Sequence, residues 1–235
     1  MTVDWADYSA VLFDLDGVVT PTAEVHMRAW SEMFNAFLQT QPGQAPYTDA
    51  DYFAHVDGKP RYDGVRDFLV SRGIPAPEDL VVELGDRKND AFNAVLARDG
   101  VEAYPGSVAL LDHLRGLGTP LAVVSSSANA PAVLEAAGLS DRFETVVSGT
   151  VAKERGLPGK PAPDTFVYAA EVLGATPATS VVLEDAVSGV RAGSAGDFAL
   201  VVGVDRGAGA STLTDAGADL VVADLQELLP QDGSR

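Results

Sequence analysis

Short runs of apolar residues, many of them β-branched, recur along the chain, and stretches with helical periodicity separate them. The runs have almost no polar interruption, which is typical of strands buried on both faces of a parallel sheet. The pattern therefore predicts six strands. They cover residues 10–14, 121–125, 145–148, 180–184 and 199–203, with a weaker one at 220–222.

The segments between these runs have the spacing of amphipathic helices. One apolar stripe runs from Val108 to Leu117 and ends before Gly118, a residue type that often terminates helices. Strands that alternate with helices in this way connect through right-handed crossovers. We therefore predict an α/β fold with a doubly wound, Rossmann-like parallel sheet.

Residues 21–98 depart from this alternation because they contain no run that predicts a strand. Their apolar residues recur at helical spacing instead, first within 26–38 and again within 80–96, with a break expected near Gly85. This stretch is predicted to be a small inserted helical cap domain. The predicted domains are the cap at 21–98 and an α/β core at 1–20 and 99–235.

Composition and charge narrow the class of protein. The 235 residues are 46% apolar and 21% charged, with no cysteine, which favours a globular protein without disulfides. No stretch reaches the roughly 18–20 apolar residues of a membrane helix, and the start lacks the basic residues of a signal peptide, so we expect a cytoplasmic protein. The net charge of −18 should repel nucleic acid and anionic membranes. We expect a monomer, with a polar tail at 230–235.

Two acidic residues, Asp14 and Asp16, follow the first predicted strand, and Gly17 allows a sharp turn after them. Ligands of open α/β sheets bind beyond the carboxyl ends of the strands. One carboxylate placed there can attack an electrophile or bind a cation, and the other can move a proton. The alternative is a strand-end aspartate followed by an ordinary Asp-Gly turn.

A second acidic pair, Glu184 and Asp185, follows the strand predicted at 180–184. A parallel sheet can bring this pair close to Asp14, and converging carboxylates repel one another unless a cation joins them. Oxygen ligands without a nearby histidine or cysteine favour Mg²⁺. The alternative is a solvated turn after the strand.

Groups that can bind an anion follow two further segments. Ser125, Ser126 and Ser127 precede a helix whose start is marked by Asn129, and hydroxyl and N–H groups at such a position bind phosphate. Lys160 is one of only four lysines and lies in a rigid, proline-flanked loop. The alternatives are simple N-capping for the serines and an exposed loop position for the lysine.

In order and spacing these motifs resemble those of the haloacid dehalogenase-like superfamily of phosphohydrolases and phosphomutases, over essentially the whole chain. The matching segments are FDLDG at 13–17, VVSSS at 123–127, KPAPD at 160–164 and LEDAVSG at 183–189. The resemblance implies that Asp14 is the nucleophile that forms an aspartyl-phosphate and that Asp16 is the general acid/base. It implies that Ser125 and Lys160 bind the transferring phosphoryl group. The implied Mg²⁺ ligands are Asp14, the main-chain carbonyl of Asp16, Glu184 and Asp185.

Elementary electrostatics gives two expectations for these roles. An unperturbed aspartate has a pKa of about 3.9, so Asp14 should be ionised near neutrality, with Mg²⁺ and Lys160 relieving its repulsion from phosphate. Asp16 must carry a proton when the leaving oxygen departs, and we expect a neighbouring oxygen group to favour that proton.

The insert is similar to the cap of the β-phosphoglucomutases. TAEVHMRAW at 22–30 resembles the first cap helix, GKPR at 58–61 the loop whose arginine binds the non-transferring phosphate, and RKND at 87–90 the segment that brings a lysine to the cleft. Without this resemblance, His26 would be a structural histidine and Arg61 and Lys88 would be surface charges. The substrate-binding residues that it implies are Thr22, His26, Arg61, Lys88, Ser126, Ser127 and Asn129.

Two positions depart from the mutase pattern. Ala128 stands where a lysine is usual, and Lys59 could compensate; Pro21 could stiffen the hinge of the cap. The leading hypothesis is a mutase that interconverts β-D-glucose 1-phosphate and glucose 6-phosphate. The alternative is a phosphatase of small sugar phosphates, in which water resolves the same phospho-enzyme. A phosphosugar sensor is disfavoured because Asp14 and Asp16 are both present. A dehalogenase is disfavoured because Asp16 and the Mg²⁺ carboxylates serve phosphoryl chemistry.

Overall fold

A six-stranded parallel sheet forms the centre of residues 3–230, the part of the chain that the computed structural model describes. Its order is β3-β2-β1-β4-β5-β6, so the chain winds outward from β1 in both directions, as predicted. The strands are β1 Ala10–Phe13, β2 Leu121–Val124, β3 Thr145–Val147, β4 Ser180–Glu184, β5 Leu200–Val204 and β6 Leu220–Val222. Of the tail expected at 230–235, only Pro230 lies within the described residues.

Helices cover both faces of the sheet and form the insert that follows β1. Within residues 3–230, none of them is both long enough and apolar enough to cross a membrane. A π-helical turn at Tyr52–Val56 follows α2, and short 3₁₀ turns lie at Trp5–Asp7, Ser140–Arg142, Pro177–Thr179 and Leu225–Leu228. The helices are α1 Thr22–Leu38, α2 Asp49–Asp51, α3 Arg61–Ser71, α4 Glu78–Asp99, α5 Pro105–Leu117, α6 Ala130–Ala136, α7 Gly149–Arg155, α8 Asp164–Val172, α9 Val187–Ala195 and α10 Ala210–Asp215.

The sheet is buried on both faces because its strands are apolar at successive positions. Phe13 of β1 belongs to an apolar cluster on one face, whereas its neighbour Leu12 belongs to the cluster on the other. Leu12 pairs with Ala122 of β2 and with Val182 of β4. This register aligns the carboxyl ends of the three central strands, so the polar residues that follow them meet at one edge of the sheet.

The insert, which we call the cap (residues 21–98), has an apolar centre of its own. Helices α1, α3 and α4 enclose an aromatic cluster in which the Phe34 ring centroid lies 4.1 Å from that of Phe68 and 5.0 Å from that of Tyr47. This cluster is distinct from those on the two faces of the sheet. The exact domain boundaries stay a prediction.

The cap differs from the sequence prediction in two ways. The prediction of a break near Gly85 is wrong, because α4 (Glu78–Asp99) continues through that residue. A Cβ atom at Gly85 would lie 2.7 Å from Cδ1 of Tyr62, so this glycine allows α4 to pack closely against α3. The helix α3 itself was not predicted; its charged residues weaken the apolar periodicity.

We predict that Phe68→Ala destabilises the protein by about 3–5 kcal/mol, because it leaves a cavity in the aromatic cluster of the cap. Val70→Ala on the same helix is the matched control, since Val70 is 69% exposed and its loss should change stability by less than about 0.5 kcal/mol. Denaturant unfolding followed by circular dichroism measures both. Equal stability of the two variants would contradict the packing described for the cap.

Candidate active site

A cleft of about 1160 Å³ lies between the carboxyl edge of the sheet and the cap. The loops after β1, β2 and β4 form one wall of it, and residues of α1, α3 and α4 form the other. Thr22, Lys160 and Glu184 do not line the cleft. Thr22 contacts Asp16 and Lys160 contacts Asp14, which both line it, and Glu184 contacts Lys160. The other ten of the thirteen predicted site residues line it: Asp14, Asp16, His26, Arg61, Lys88, Ser125, Ser126, Ser127, Asn129 and Asp185.

Lys160 is buried at the end of the sheet and joins two strand ends. Its ammonium group donates hydrogen bonds to Asp14 Oδ1 at 2.5 Å, to Glu184 Oε1 at 2.6 Å and to the Val124 carbonyl at 3.0 Å. The Nζ atom also lies 4.7 Å from the centroid of the Phe166 ring. All three donor positions of the ammonium group are therefore used, and the lysine is fixed against Asp14.

Burial and the neighbouring charges shift the pKa values of Asp14 and Lys160. Burial raises the pKa of Asp14 well above its ordinary value, and the neighbouring Glu184 and Asp16 add to this effect, which Lys160 only partly offsets. The pKa of Lys160 is raised, because the charges of Asp14 and Glu184 outweigh its burial. We expected Asp14 to ionise at the ordinary pKa of an aspartate. That expectation is wrong for the site without a further cation, because the pKa of Asp14 is raised.

Three buried carboxylates could hold that cation. Asp14, Glu184 and Asp185 each offer an oxygen, and these atoms all lie within 4.8 Å of one another. Burial, followed by the charges of Asp57 and Glu184, raises the pKa of Asp185 well above its ordinary value. Within residues 3–230, Lys160 is the only cation paired with this cluster, so its carboxylates must hold protons or bind a further cation. A buried set of oxygen donors with excess negative charge fits a hard divalent cation.

The predicted ligands are not equivalent. Glu184 uses one oxygen to accept from Lys160 and the other to accept from the Ala186 N–H at 2.7 Å, so it is already engaged. The side chain of Asp16 belongs to a different set of hydrogen bonds. The role implied for the main-chain carbonyl of Asp16 as a cation ligand stays a prediction.

Both carboxylate oxygens of Asp16 are held by neighbouring side chains. Oδ1 accepts a hydrogen bond from Thr22 Oγ1 at 2.5 Å and lies 3.2 Å from His26 Nε2, and Oδ2 accepts from Ser125 Oγ at 3.2 Å. Burial alone would raise the pKa of Asp16, but His26, Thr22 and the charge of Lys88 outweigh it and hold the pKa well below its ordinary value. The expectation that a neighbouring oxygen favours protonated Asp16 is wrong here, because these neighbours stabilise the carboxylate.

His26 and Lys88 of the cap extend the contacts of Asp16. The His26 ring stacks on Phe92 with centroids 4.1 Å apart, and its Nδ1 contacts Lys88 Nζ. Lys88 is only 4% exposed and lies between the rings of Trp30 and Phe92, each 5.1 Å from its Nζ. Burial lowers the pKa of Lys88 to about 7, and burial together with Lys88 lowers the pKa of His26. Lys88 is thus a buried residue of the cleft, not a surface charge.

The serine-rich loop after β2 is organised by its own side chains. Ser125 Oγ accepts from the Ser127 N–H at 3.1 Å, and Ser127 Oγ accepts from the Asn129 N–H at 3.1 Å. These bonds fix the turn that leads into α6. The hydroxyl groups of the loop therefore line the cleft in a defined arrangement.

The cap is closed over the core in this structure. Ser126 Oγ donates to the Gly58 carbonyl of the cap at 2.8 Å, and Asn129 Nδ2 donates to Asn89 Oδ1 of α4 at 2.8 Å. These two contacts place both cap segments directly on the loop after β2. The cleft is consequently bounded on both sides.

Arg61 begins α3 and lines the cleft on the cap side. Its guanidinium group makes a long contact of 3.4 Å with Asp86 and lies 5.3 Å from the Tyr62 ring. Like His26 and Lys88 it lines the cleft, and its charge contributes to the lowered pKa values of both. They form a basic region that is separate from Lys160.

Ala128, which departs from the mutase pattern, and Lys59, which could compensate for it, both border the cleft. Ala128 lines the cleft without supplying a charge. Lys59 also borders the cleft, but its Nζ donates to Asp67 Oδ2 at 2.7 Å. The idea that Lys59 replaces the missing cation is therefore not supported, because Lys59 is paired within the cap.

Two residues of this region were missed by the sequence analysis. Asp57 of the cap lines the cleft, and burial, with Glu184 and Asp16 adding to it, raises its pKa to about 7. Arg206 donates from Nε to the Gly17 carbonyl at 2.8 Å and stacks on Tyr104 at 3.9 Å. The position of Asp57 beside the GKPR segment was an available signal; for Arg206 the sequence offered none.

Comparison with known proteins supports the motif analysis. The family model of haloacid dehalogenase-like hydrolases matches residues 8–197. A β-phosphoglucomutase from Mycobacterium bovis is 47% identical, over 94% of this chain and 91% of that protein. Hexitol phosphatase A from Escherichia coli is 31% identical, over 92% and 91%. The crystal structure of β-phosphoglucomutase from Clostridium difficile superposes with a TM-score of 0.78 at 25% identity, over 94% of this chain and 93% of that one.

We predict that the protein without a divalent cation loses stability as the pH rises from about 4 to about 7. Asp14, Asp57 and Asp185 have raised pKa values, so the native state binds more protons than the unfolded chain in this window. Each such group lowers the free energy of unfolding by up to about 1.4 kcal/mol per pH unit. The lowered pKa of His26 acts in the opposite direction, but as one group against three.

Thermal unfolding with and without Mg²⁺ measures this effect. Mg²⁺ should raise the unfolding temperature more at about pH 7 than at about pH 5, where protons compete for the carboxylates. The same increase at both pH values would contradict cation binding to this cluster.

Proposed function

The chain belongs to the family of haloacid dehalogenase-like hydrolases, and on that premise we propose that it is a Mg²⁺-dependent β-phosphoglucomutase. It is an enzyme of phosphoryl transfer or phosphate hydrolysis. The observation that carries the proposal is a single cleft with two basic ends, Lys160 at Asp14 and the Arg61–Lys88 region under the cap. A hexose bisphosphate carries two phosphates, and each of them needs a basic group to bind it. The 47% identical relative bears the name of this activity.

Asp14 is the proposed nucleophile. One carboxylate oxygen bonds to phosphorus while the bond from phosphorus to the donor oxygen breaks, which leaves an aspartyl-phosphate. Lys160 is hydrogen-bonded to Asp14 at 2.5 Å, so its charge offsets the repulsion between the carboxylate and a phosphate dianion. Mg²⁺ held by Asp14 and Asp185 would supply the further positive charge that the reaction needs.

Asp16 is the proposed general acid/base. Its low pKa keeps it ionised, which suits the step in which the phospho-enzyme meets a sugar hydroxyl, since that hydroxyl must lose its proton. Asp16 accepts the proton as the phosphoryl group moves to the 6-hydroxyl of β-D-glucose 1-phosphate. The bisphosphate then reorients in the cleft so that its 1-phosphate faces Asp14. Asp14 takes this phosphoryl group, and Asp16 returns the proton to O1.

The cap would bind the phosphate that is not being transferred. Arg61 offers a planar fork of donors that matches phosphate oxygens, and its present contact with Asp86 is long enough to be exchanged for one with phosphate. A phosphate beside Lys88 would raise the lowered pKa of that lysine and so increase its positive charge. Ser127 and Asn129 lie on the opposite wall.

The second candidate is a phosphatase of small sugar phosphates. The uncharged Ala128 and the pairing of Lys59 with Asp67 leave the second phosphate site with fewer cations than the mutase pattern has. A relative named hexitol phosphatase A is 31% identical. In this case water would attack the same phospho-enzyme, and Asp16 would accept its proton.

Phosphorus NMR tests the proposal directly. Purified protein with Mg²⁺, β-D-glucose 1-phosphate and a trace of glucose 1,6-bisphosphate should yield glucose 6-phosphate without comparable inorganic phosphate. Asp14→Asn should abolish the reaction, whereas Asp49→Asn at an exposed position of the cap should not change it. Inorganic phosphate as the main product would replace the mutase by the phosphatase. Conversion by Asp14→Asn at the native rate would reject Asp14 as the nucleophile.

We predict that Arg61→Ala lowers kcat/KM for β-D-glucose 1-phosphate by about ten- to a hundredfold, because hydrogen bonds to a charged group contribute about 1.5–3 kcal/mol. Arg87→Ala on the same cap is the matched control, since Arg87 makes only an exposed contact of 3.6 Å with Glu83. Coupled-enzyme kinetics measures both variants. An unchanged kcat/KM for Arg61→Ala would remove Arg61 from the proposed phosphate site.

A further inference from the structure

The loop before α3 rests directly on the core beside the acidic cluster. Ser188 Oγ donates to the Asp57 carbonyl at 2.9 Å. A Cβ atom at Gly58 would lie 2.7 Å from Cβ of Ala186, so only glycine permits this close approach. The main chain at Asp57 is therefore fixed against the segment that immediately follows Asp185.

The Asp57 side chain lies beside the predicted cation ligands. Asp57 and Asp185 both line the large cleft, and both also line a small cavity of about 70 Å³ on the hinge side. The charged and titratable lining of that small cavity is completed by Glu24, Tyr52, Tyr104 and Arg206. Asp57 thus lines both the large cleft and the small cavity, and Asp185 of the acidic cluster lines both as well.

Closing the cap adds a fourth carboxylate to a site that is already acidic. Asp14, Glu184 and Asp185 converge within 4.8 Å, and Lys160 contacts the first two of them. Because Asp57 and Asp185 line the same two spaces, negative charges on both side chains repel each other in the closed arrangement. The closed cap therefore carries an electrostatic cost that positive charge would remove.

We propose that Asp57 is a further residue of the cation site, supplied by the cap, and that it makes cation binding and cap closure favour each other. This inference rests on the proposed function, because it requires Mg²⁺ at Asp14 and Asp185. Mg²⁺ usually keeps several water ligands, and a carboxylate that lines the same spaces as Asp185 is suited to accept hydrogen bonds from them. By linkage, a closed cap then strengthens cation binding as much as the cation strengthens closure.

Two measurements on Asp57→Asn test the coupling. Isothermal titration calorimetry gives the Mg²⁺ dissociation constant, which should rise about tenfold or more, as is common when a carboxylate outside the direct ligands is lost. The chain has no native cysteine, so spin labels at Val70→Cys on the cap and Val172→Cys on the core can report the distance between them. In the native protein, Mg²⁺ should shift this distance toward the closed arrangement.

In Asp57→Asn the cap should close without Mg²⁺, and Mg²⁺ should then change the label distance little. Asp49→Asn, which removes an exposed carboxylate of the same cap, should behave like the native protein in both measurements. Asp57→Ser provides a second variant if the asparagine variant does not fold.

The outcomes separate this inference from the proposed function. If the native protein binds Mg²⁺ but Asp57→Asn has the same dissociation constant and the same cation-dependent closure, the role of Asp57 is rejected while the proposed function stands. If the native protein does not bind Mg²⁺ at all, the proposed cation chemistry fails together with the inference. A tenfold weaker affinity with unchanged closure would overturn the coupling.

Discussion

The buried contact of Lys160 with Asp14 and Glu184 is the interaction on which the rest of the site depends. Carboxylates cannot be buried at the ends of two adjacent strands without a matching charge, since an unpaired buried charge costs several kcal/mol. Lys160 supplies one positive charge and fixes Asp14 in place. It leaves the cluster with excess negative charge, so the same contact that makes the site stable also leaves it in need of a further cation.

The cap sets the protonation state of Asp16, the proposed general acid/base. Thr22 and His26, both on the first cap helix, contact Asp16, and Lys88 contacts His26 in turn. These neighbours keep Asp16 ionised in the closed arrangement. A movement of α1 would therefore alter the proton affinity of Asp16 as well as the access of water. In the proposed mechanism the cap binds the distant phosphate, and through these contacts it also prepares the proton transfer at Asp16.

Much of this arrangement could be predicted from the sequence, because strand runs and strand-end motifs are local signals. The six strands, their doubly wound order and the meeting of Asp14, Ser125 and Asp185 at one edge follow from the apolar pattern and from chain connectivity. The continuity of α4 through Gly85 depends on how closely Tyr62 packs, which no local pattern records. The direction of the Asp16 pKa shift likewise depends on how the side chains of Thr22, His26 and Lys88 are placed around it, which no local pattern records. Asp57 was missed because its importance comes from the position of the closed cap.

Mass spectrometry of peptides from the protein, quenched in acid during turnover with glucose 1,6-bisphosphate and Mg²⁺, tests the central claim most directly. That claim is that Asp14, held by Lys160, takes the phosphoryl group. The expected result is one phosphoryl group on the peptide that contains Asp14, absent from Asp14→Asn and lost on treatment at alkaline pH, as an acyl phosphate requires. Turnover without any phosphorylated peptide, or a phosphoryl group on a residue other than Asp14, would contradict it.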